Sequence, residues 1–472
     1  MLVNATGSSK MFKWLIALFV LMFCIAIFLQ MKNKEEVLLK AALFTLPFSV
    51  GFIYDGVLQV DLIFATDALL FLLWVFWLSR ADAFSGGSIY LGVFGTAGMI
   101  NVFWCALTFI VAISQKASGF GIYMLVKSLM FYIYLANNIN TRKKLQIVVY
   151  WLLVGLLFQG VLGVAQYFTR SSLGLDFLGS SAKAWSTQIF RVRGTLGYPN
   201  QFGAYLNFLI PLSFSLYTFS RKSKLKTFYG VASILGLMAL MFSFSRSSWA
   251  GLIICAVVFV VILMLKRMFS AKLFAAIMLA IFAVGAIVFI NWDLILIRFA
   301  NGSTGEYRVK MVDIAFSLIK DHWFIGVGLN NYQWYSYPIF KFWQPVHNTY
   351  LRLAAETGIP GLLIFLFLVF SSLRSAYRGL RYRDRLLFAT SLGVITGFVG
   401  FLVATNFGPE YQHYRIKLLF WIFGALAVSV HRIKRAETIL KKRKQAMNSQ
   451  NSMLPSKPNN GRVTPDRLTY QR

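Results

Sequence analysis

The chain has 472 residues, of which 58% are hydrophobic and only 13% are charged, and its mean hydropathy is +0.65. This composition excludes a soluble globular protein of this size and predicts an all-α polytopic membrane protein. The formal net charge is +31. Because the basic clusters alternate with apolar runs, we attribute the charge to cytoplasmic loops under the positive-inside rule and not to nucleic-acid binding.

A membrane-crossing helix needs about 20 apolar residues. The first apolar run lacks a small-residue cleavage site after it, so we interpret it as a retained helix. Two or three of the runs are short or interrupted, which predicts about 12 to 13 transmembrane helices. The candidate spans are 12–30, 38–54, 60–79, 89–113, 119–137, 146–167, 201–220, 227–243, 248–266, 272–291, 360–373, 386–405 and 415–431.

Two long loops, at about 168–200 and 292–346, are predicted to face outward by this topology. They and the short turn 244–249 carry more cations than outward loops usually do. A single arginine of this kind is as well explained by snorkelling to lipid headgroups. Several on one face favour a shared anionic ligand such as a diphosphate or a carboxylate. The cations are Arg170, Lys183, Arg191, Arg193, Arg246, Arg298, Arg308, Lys310, Lys320 and Lys341.

The second outer loop contains a predicted amphipathic helix at about 305–321, lying across the outer surface. Ser303 and Glu306 have the spacing of a capping box before it, and Arg308 falls in its first turn. An aromatic stretch follows at 330–345. It is typical of an interfacial belt, although aromatic faces also stack on sugar rings.

The stretch QPVHNTYLRLAAETGIPG precedes the apolar run 360–373. Asn348 can cap a short surface helix from Thr349 to Glu356, and Gly358 begins a break before the span. His347 would then lie at a helix N-terminus, where the helix dipole favours the neutral imidazole that a general base requires. Considered alone, a single histidine is more simply a satisfied interfacial residue.

Two charge pairs are also predicted. Asp67 and Lys127 lie inside apolar spans, and we hypothesise that they pair with each other. Arg352 and Glu356 are spaced i, i+4 and can pair on one helix face. The three cysteines lie in apolar runs, and no HExxH, Walker or GxGxxG signature is present, so the sequence predicts no metal or other cofactor.

Four segments occur in the order RVRGTLGYPNQFGAYL, SFSRSSWAG, EYRVKMVDIAFSLIKDHWFIGVGLNNY and HNTYLRLAAETGIPGLL. Together they resemble the bacterial O-antigen ligase/polymerase superfamily of WaaL- and Wzy-type proteins. That superfamily includes O-antigen ligases, capsule and exopolysaccharide polymerases, protein O-oligosaccharyltransferases and teichuronic acid polymerases. The resemblance covers roughly residues 190–370.

The resemblance implies a metal-independent membrane glycosyltransferase similar to the GT-C class. Such an enzyme moves a glycan from a polyprenyl diphosphate donor to a glycan or lipid-glycan acceptor, on the outer face of the bacterial cytoplasmic membrane. It implies that Arg193 and Arg308 bind the diphosphate with support from Arg246, and that His347 is the base. The other implied site residues are Asn200, Asn348 and Glu356, which shape the pocket, and Arg191, which is a second candidate beside Arg193.

We divide the chain into N-terminal helices (1–190), a ligase-like core (191–373), C-terminal helices with a basic end (374–444) and a disordered cytoplasmic tail (445–472). A flippase for the same lipid-linked glycans is the main alternative function. It predicts internal repeats and a polar midplane pathway, and neither is evident in the sequence. A non-catalytic scaffold would not explain the outward arginines. The polymer remains open, with a polymerase slightly favoured over a ligase.

Overall fold

The computed structural model describes residues 33–48, 54–55, 60–61, 65–79, 89–175, 178, 190–294, 296, 305–341, 343 and 345–453. These residues form an all-α structure, apart from a hairpin of two very short strands. The elements are α1 Lys34–Thr45, β1 Tyr54–Asp55, β2 Val60–Asp61, α2 Ala65–Leu78, α3 Gly92–Leu107, α4 Gln115–Asn138, α5 Arg142–Thr169, α6 Pro199–Phe219, α7 Ser223–Phe242, α8 Arg246–Leu265, α9 Ala271–Ile290, α10 Gly305–Asp321, α11 Tyr332–Phe340, α12 Thr349–Gly379, α13 Arg385–Ala404 and α14 Tyr414–Met453.

Nine helices in the described part of the chain are long and apolar enough to cross a membrane. The all-α polytopic membrane class predicted from composition is therefore confirmed. Every predicted span from 89 onward has a matching helix, while the predicted span 12–30 and residues 49–53 and 62–64 of the next two predicted spans lie outside the described residues. The nine are α3 extended by a 3₁₀ turn to Val111, and α4, α5, α6, α7, α8, α12, α13 and α14 up to Arg443.

Three sequence predictions of extent are corrected. The span predicted at 38–54 is a 12-residue helix that ends at Thr45, because Pro47 cannot continue a helix. The span predicted at 60–79 begins only at Ala65. The tail predicted as disordered from 445 is helical to Met453, because α14 continues past the basic cluster. The remainder of the tail lies outside the described residues.

The centre of the bundle is formed by α6, α13 and α14, which are the most buried of the nine helices. Helix α13 packs closely against α6 and α8. A Cβ added at Gly251 of α8 would lie 2.5 Å from the carbonyl oxygen of Gly400, and one at Gly397 would lie 2.8 Å from that of Phe208. Small residues thus let these backbones approach closely, as they do in other membrane helix bundles.

A buried ion pair joins three helices in this core. The ammonium of Lys127 on α4 lies 2.7 Å from Oδ1 of Asp67 on α2. The hydroxyl of Tyr414, the first residue of α14, donates to the same carboxylate oxygen at 2.6 Å. The hypothesised Asp67–Lys127 pair is therefore confirmed, and the tyrosine is a third member that the sequence did not indicate.

Helix α12 is broken at Gly358, which has φ 71° and ψ 174°. Only glycine adopts this backbone region readily, and a Cβ here would lie 2.1 Å from the carbonyl oxygen of Phe324. The backbone N–H groups of Val327 and Gly328 donate to the carbonyls of Ala355 and Glu356, both at 2.9 Å. The predicted break is confirmed, and it is where the 322–331 segment docks on α12.

Candidate functional site

His347 lies two residues before the first residue of α12, next to the N-cap residue Asn348. Asn348 caps the helix as predicted, because its Oδ1 accepts a hydrogen bond from the backbone N–H of Leu351 at 2.9 Å. The imidazole of His347 is half-buried. Burial, and then the charge of Arg308, lower the pKa of His347 from 6.5 to about 4. The ring is therefore neutral at physiological pH, as the sequence predicted.

The first turn of α12 is not on the surface, which corrects the predicted surface helix. Thr349 and the residues 352–358 are buried. The predicted pair of Arg352 and Glu356 is confirmed, with Nε of Arg352 donating to Oε1 of Glu356 at 2.8 Å. The same oxygen accepts a longer bond from the backbone N–H of Tyr332 at 3.4 Å. Neighbouring protein encloses these residues because α3, α10, α13 and α14 all pack against α12.

Helix α10 brings Arg308 to this end of α12. The helix predicted at 305–321 is confirmed. Its apolar face, including Met311 and Ala315, packs on Val346 and Ala355, so it meets protein along that face. Burial and the charge of Arg246 lower the pKa of Arg308. Ser303 of the predicted capping box lies outside the described residues, as do the cations Lys183 and Arg298.

Arg246 is the first residue of α8. The turn between α7 and α8 is as short as the sequence predicted, with Phe244 in the left-handed region at φ 47°. The charge of Arg246 lowers the pKa of Arg308, and the charge of Arg308 lowers the pKa of His347. These three residues therefore lie near one another and form one neighbourhood. They come from three separate stretches of the chain, at α8, α10 and α12.

Arg191 ties the loop before α6 to this turn. Its Nε donates to the carbonyl of Ser243 at 3.0 Å, and its Nη2 donates to Oδ1 of Asn200 at 3.1 Å. The hydroxyl of Ser245 donates to the same asparagine oxygen at 3.1 Å. The backbone N–H of Val192 adds a bond to the carbonyl of Phe242 at 3.1 Å. Arg191 and Asn200 thus hold the loop beside Arg246.

Arg193 lies in the same loop, with a relative exposure of only 7%. Its Nη1 lies 3.5 Å from the carbonyl oxygen of Gly197, at the limit of a hydrogen bond. Burial lowers the pKa of the guanidinium, and the neighbouring Tyr198 opposes that shift. A permanently cationic group held in such a position interacts strongly with any anion that reaches it.

Two buried glutamines on α5 support this loop. Oε1 of Gln166 accepts from the backbone N–H of Gly194 at 3.0 Å, and Oε1 of Gln159 accepts from that of Thr195 at 3.1 Å. The amide of Gln159 also donates to the hydroxyl of Thr195 at 2.7 Å. Sequence reasoning missed both. The sequence feature that could have indicated them is a pair of amide side chains seven residues apart, on one face of an otherwise apolar span.

The loop between α13 and α14 was also missed. The backbone N–H of Thr349 donates to the carbonyl of Thr405 at 2.9 Å, and its hydroxyl donates to that of Gly408 at 3.0 Å. The amide of Asn348 donates to the carbonyl of Asn406 at 3.2 Å. The sequence FGPEYQHY was available as a polar interruption between two spans. The loop lies against the start of α12 and so borders His347.

Two further findings concern ligands and relatives. Within the described residues, no group of three or more His, Cys, Asp or Glu side chains could hold a metal ion. Residues 231–366 match the family model described as O-antigen ligase (Wzy_C). This segment of the chain is similar to O-antigen ligases. No curated protein matches the chain in a sequence search.

The matched segment extends from α7 into α12, so it contains Arg246, Arg308 and His347. Arg191, Arg193 and Asn200 precede it, and the 405–413 loop follows it. The resemblance to the O-antigen ligase/polymerase superfamily is thereby confirmed. The match also supports a membrane protein that processes lipid-linked glycans.

Proposed function

We propose that this protein is a membrane glycosyltransferase that transfers a glycan from a polyprenyl diphosphate to an acceptor hydroxyl. The single observation that carries the proposal is the neighbourhood of Arg246, Arg308 and His347, built from three separate stretches of the chain. A diphosphate needs fixed cations, and glycosyl transfer needs a base beside them. The similarity to O-antigen ligases of the segment that contains all three residues supports the same reaction.

Arg193, Arg246 and Arg308 are proposed to bind the donor diphosphate. Like charges held close together disfavour one another, and a polyanion between them removes that penalty. The planar guanidinium also suits bidentate contact with phosphate oxygens. The negative charge on the leaving diphosphate grows as the glycosidic bond breaks. Cations fixed in advance stabilise that charge in the transition state.

His347 is proposed to deprotonate the acceptor. The hydroxyl oxygen forms a bond to C1 of the donor sugar, and its proton passes to the imidazole. The electrons of the broken C1–O bond leave with the diphosphate. Before the donor binds, the charge of Arg308 helps to hold the pKa of His347 at about 4, which makes the ring a weak base. A bound diphosphate offsets that charge and strengthens the base where the reaction occurs.

The other residues are proposed to hold this arrangement in place. Arg191 and Asn200 fix the first outer loop, Asn348 caps α12, and Glu356 anchors Arg352. Groups that orient reacting residues in this way contribute through geometry. We place the site on the outer face of a bacterial cytoplasmic membrane, in the synthesis of a surface polysaccharide. An exopolysaccharide or teichuronic acid polymerase is our preferred role over a ligase.

The test is transfer by the purified protein in proteoliposomes. The substrate is polyprenyl diphosphate-linked glycan isolated from the membranes of the source bacterium. We expect longer or transferred glycan by mass spectrometry, together with an equal amount of released polyprenyl diphosphate. Movement of the intact lipid between leaflets without any release would contradict the proposal and indicate a flippase.

A further inference from the structure

Glu410 is a buried carboxyl group that the proposed reaction does not use. It begins the short 3₁₀ turn Glu410–Gln412 in the loop that borders His347, and its relative exposure is 3%. Within the described part of the chain, its Oε2 has no hydrogen-bond partner. Burial raises the pKa of Glu410 to about 8, and the charge of Arg191 opposes that shift. An unsatisfied carboxyl oxygen at this depth is energetically unfavourable unless a ligand completes it.

His413 lies beside this carboxyl group, with Nε2 4.0 Å from Oε2 of Glu410. The side-chain amide nitrogen of Gln201 lies 2.8 Å from Nδ1 and 3.0 Å from Nε2 of the ring, and donates to the one without a hydrogen. The His413 side chain remains 37% exposed. Burial and the charges of Arg352, Arg415 and Lys417 lower the pKa of His413, which keeps the ring neutral.

Tyr198 supplies an aromatic face next to these polar groups. It immediately precedes the first residue of α6, and 53% of its surface is exposed. Its ring lies within 26° of parallel to that of His413, with the centroids 6.4 Å apart. Tyr198 also opposes the lowering of the Arg193 pKa by burial, so it lies near that guanidinium, one of the groups proposed to bind the diphosphate. An exposed tyrosine therefore lies beside an imidazole and near a buried guanidinium, and the imidazole lies beside the Glu410 carboxyl group.

We propose that Tyr198, Glu410 and His413 form a saccharide subsite that binds the donor sugar next to the diphosphate. The C–H face of a pyranose packs on an aromatic ring, while its hydroxyl groups need both donors and acceptors. Tyr198 provides the ring, and Glu410 and His413 provide the polar partners.

The subsite rests on the proposed function, since it takes its sugar from the same donor. It assigns the specificity for the sugar to residues outside the segment that matches O-antigen ligases, namely the first outer loop and the 405–413 loop. A buried carboxyl oxygen left unpaired by a sugar that lacks the matching hydroxyl would disfavour that sugar strongly. Tyr198, by contrast, would accept many sugars, because every pyranose has an apolar face.

The experiment compares two lipids by equilibrium binding to the purified full-length protein. One is undecaprenyl diphosphate, and the other is the polyprenyl diphosphate-linked glycan from the source bacterium. We expect the wild type to bind the glycan-linked lipid about tenfold to a hundredfold more tightly, as stacking and two hydrogen bonds would provide. Tyr198→Ala and Glu410→Leu should lose most of that gain and bind undecaprenyl diphosphate as the wild type does.

Tyr198→Phe is the matched variant, since it keeps the ring and should keep most of the extra affinity for the glycan-linked lipid. Normal binding of undecaprenyl diphosphate by Tyr198→Ala also shows that the variant is folded. Equal affinity of the wild type for the two lipids, or equal losses for both lipids in Tyr198→Ala, would overturn the subsite and leave the diphosphate site intact. Failure of the wild type to bind undecaprenyl diphosphate would instead overturn the proposed function, and the subsite with it.

Discussion

The molecule handles charge in two opposite ways. In the helix core, Lys127 lies 2.7 Å from Asp67, and Tyr414 donates to the same carboxylate. At the candidate site, Arg246 and Arg308 are like charges near each other, and Arg308 lies near an imidazole whose pKa it lowers. The first arrangement neutralises charge within the protein. The second brings positive charges close together, which is the arrangement that the proposed diphosphate site requires.

This difference separates structural from functional charges by their neighbours. A buried pair of opposite charges is best explained as part of the fold, because removing one partner leaves an uncompensated charge. A cluster of like charges behaves in the opposite way, because removing one charge relieves repulsion and need not destabilise the fold. Variants at the candidate site should therefore affect substrate use more than stability. Variants of the core pair should do the reverse.

The largest expected effect is at His347. His347→Gln should lower the transfer rate by about 10²-fold to 10⁴-fold, as the loss of a general base does. Binding of undecaprenyl diphosphate should be nearly unchanged, because the arginines remain. His322→Gln is the matched control, since His322 is an exposed histidine just beyond the end of α10. Full transfer activity in His347→Gln would remove the histidine from the mechanism.

A smaller effect on donor affinity is expected at Arg308. Arg308→Met should weaken binding of undecaprenyl diphosphate by about tenfold to a hundredfold, as the loss of a charge-assisted hydrogen bond does. The affinity of Arg308→Lys should lie between those of the wild type and Arg308→Met, because lysine keeps the charge and loses the planar fork. Lys310→Met removes the same charge from an exposed position on the same helix. Equal weakening by Lys310→Met would show that only net charge matters.

The core pair should respond through stability alone. Asp67→Leu leaves Lys127 buried without its carboxylate and should destabilise the fold by about 3–5 kcal/mol. Asp67→Leu combined with Lys127→Leu should be closer to the wild type, since both charges are gone. Thermal unfolding in detergent measures both variants. A fully stable single variant would contradict the structural role of the pair. So would a double variant that folds normally and yet loses transfer activity.

Much of the fold was predictable because each span is set by local hydropathy. The helix at 305–321, the cap at Asn348 and the break at Gly358 were also readable, since they depend on residues close in sequence. The 12-residue extent of α1 was not predicted, because a single proline outweighed the apolar residues beyond it. The burial of the first turn of α12 depends on other helices that pack over it, which no local pattern reveals.

The residues of the candidate site could be predicted from the sequence, but their arrangement in space could not. Arg246, Arg308 and His347 were identified individually, but their proximity depends on how three separate elements pack. Gln159 and Gln166 were missed because two amides in an apolar span resemble tolerated polar residues. Glu410 was missed because its significance lies in burial and in an unsatisfied oxygen, both of which are properties of the folded chain.

The central claim is that a diphosphate binds beside His347, and the ionisation of that imidazole tests it most directly. NMR titration of the four histidines, with His347 assigned through His347→Gln, gives the pKa with and without undecaprenyl diphosphate. We expect a value of about 4 in the free protein. Saturating lipid should raise it, since the diphosphate offsets the charge of Arg308 and favours the imidazolium. An unchanged pKa of His347 at saturation would contradict the account.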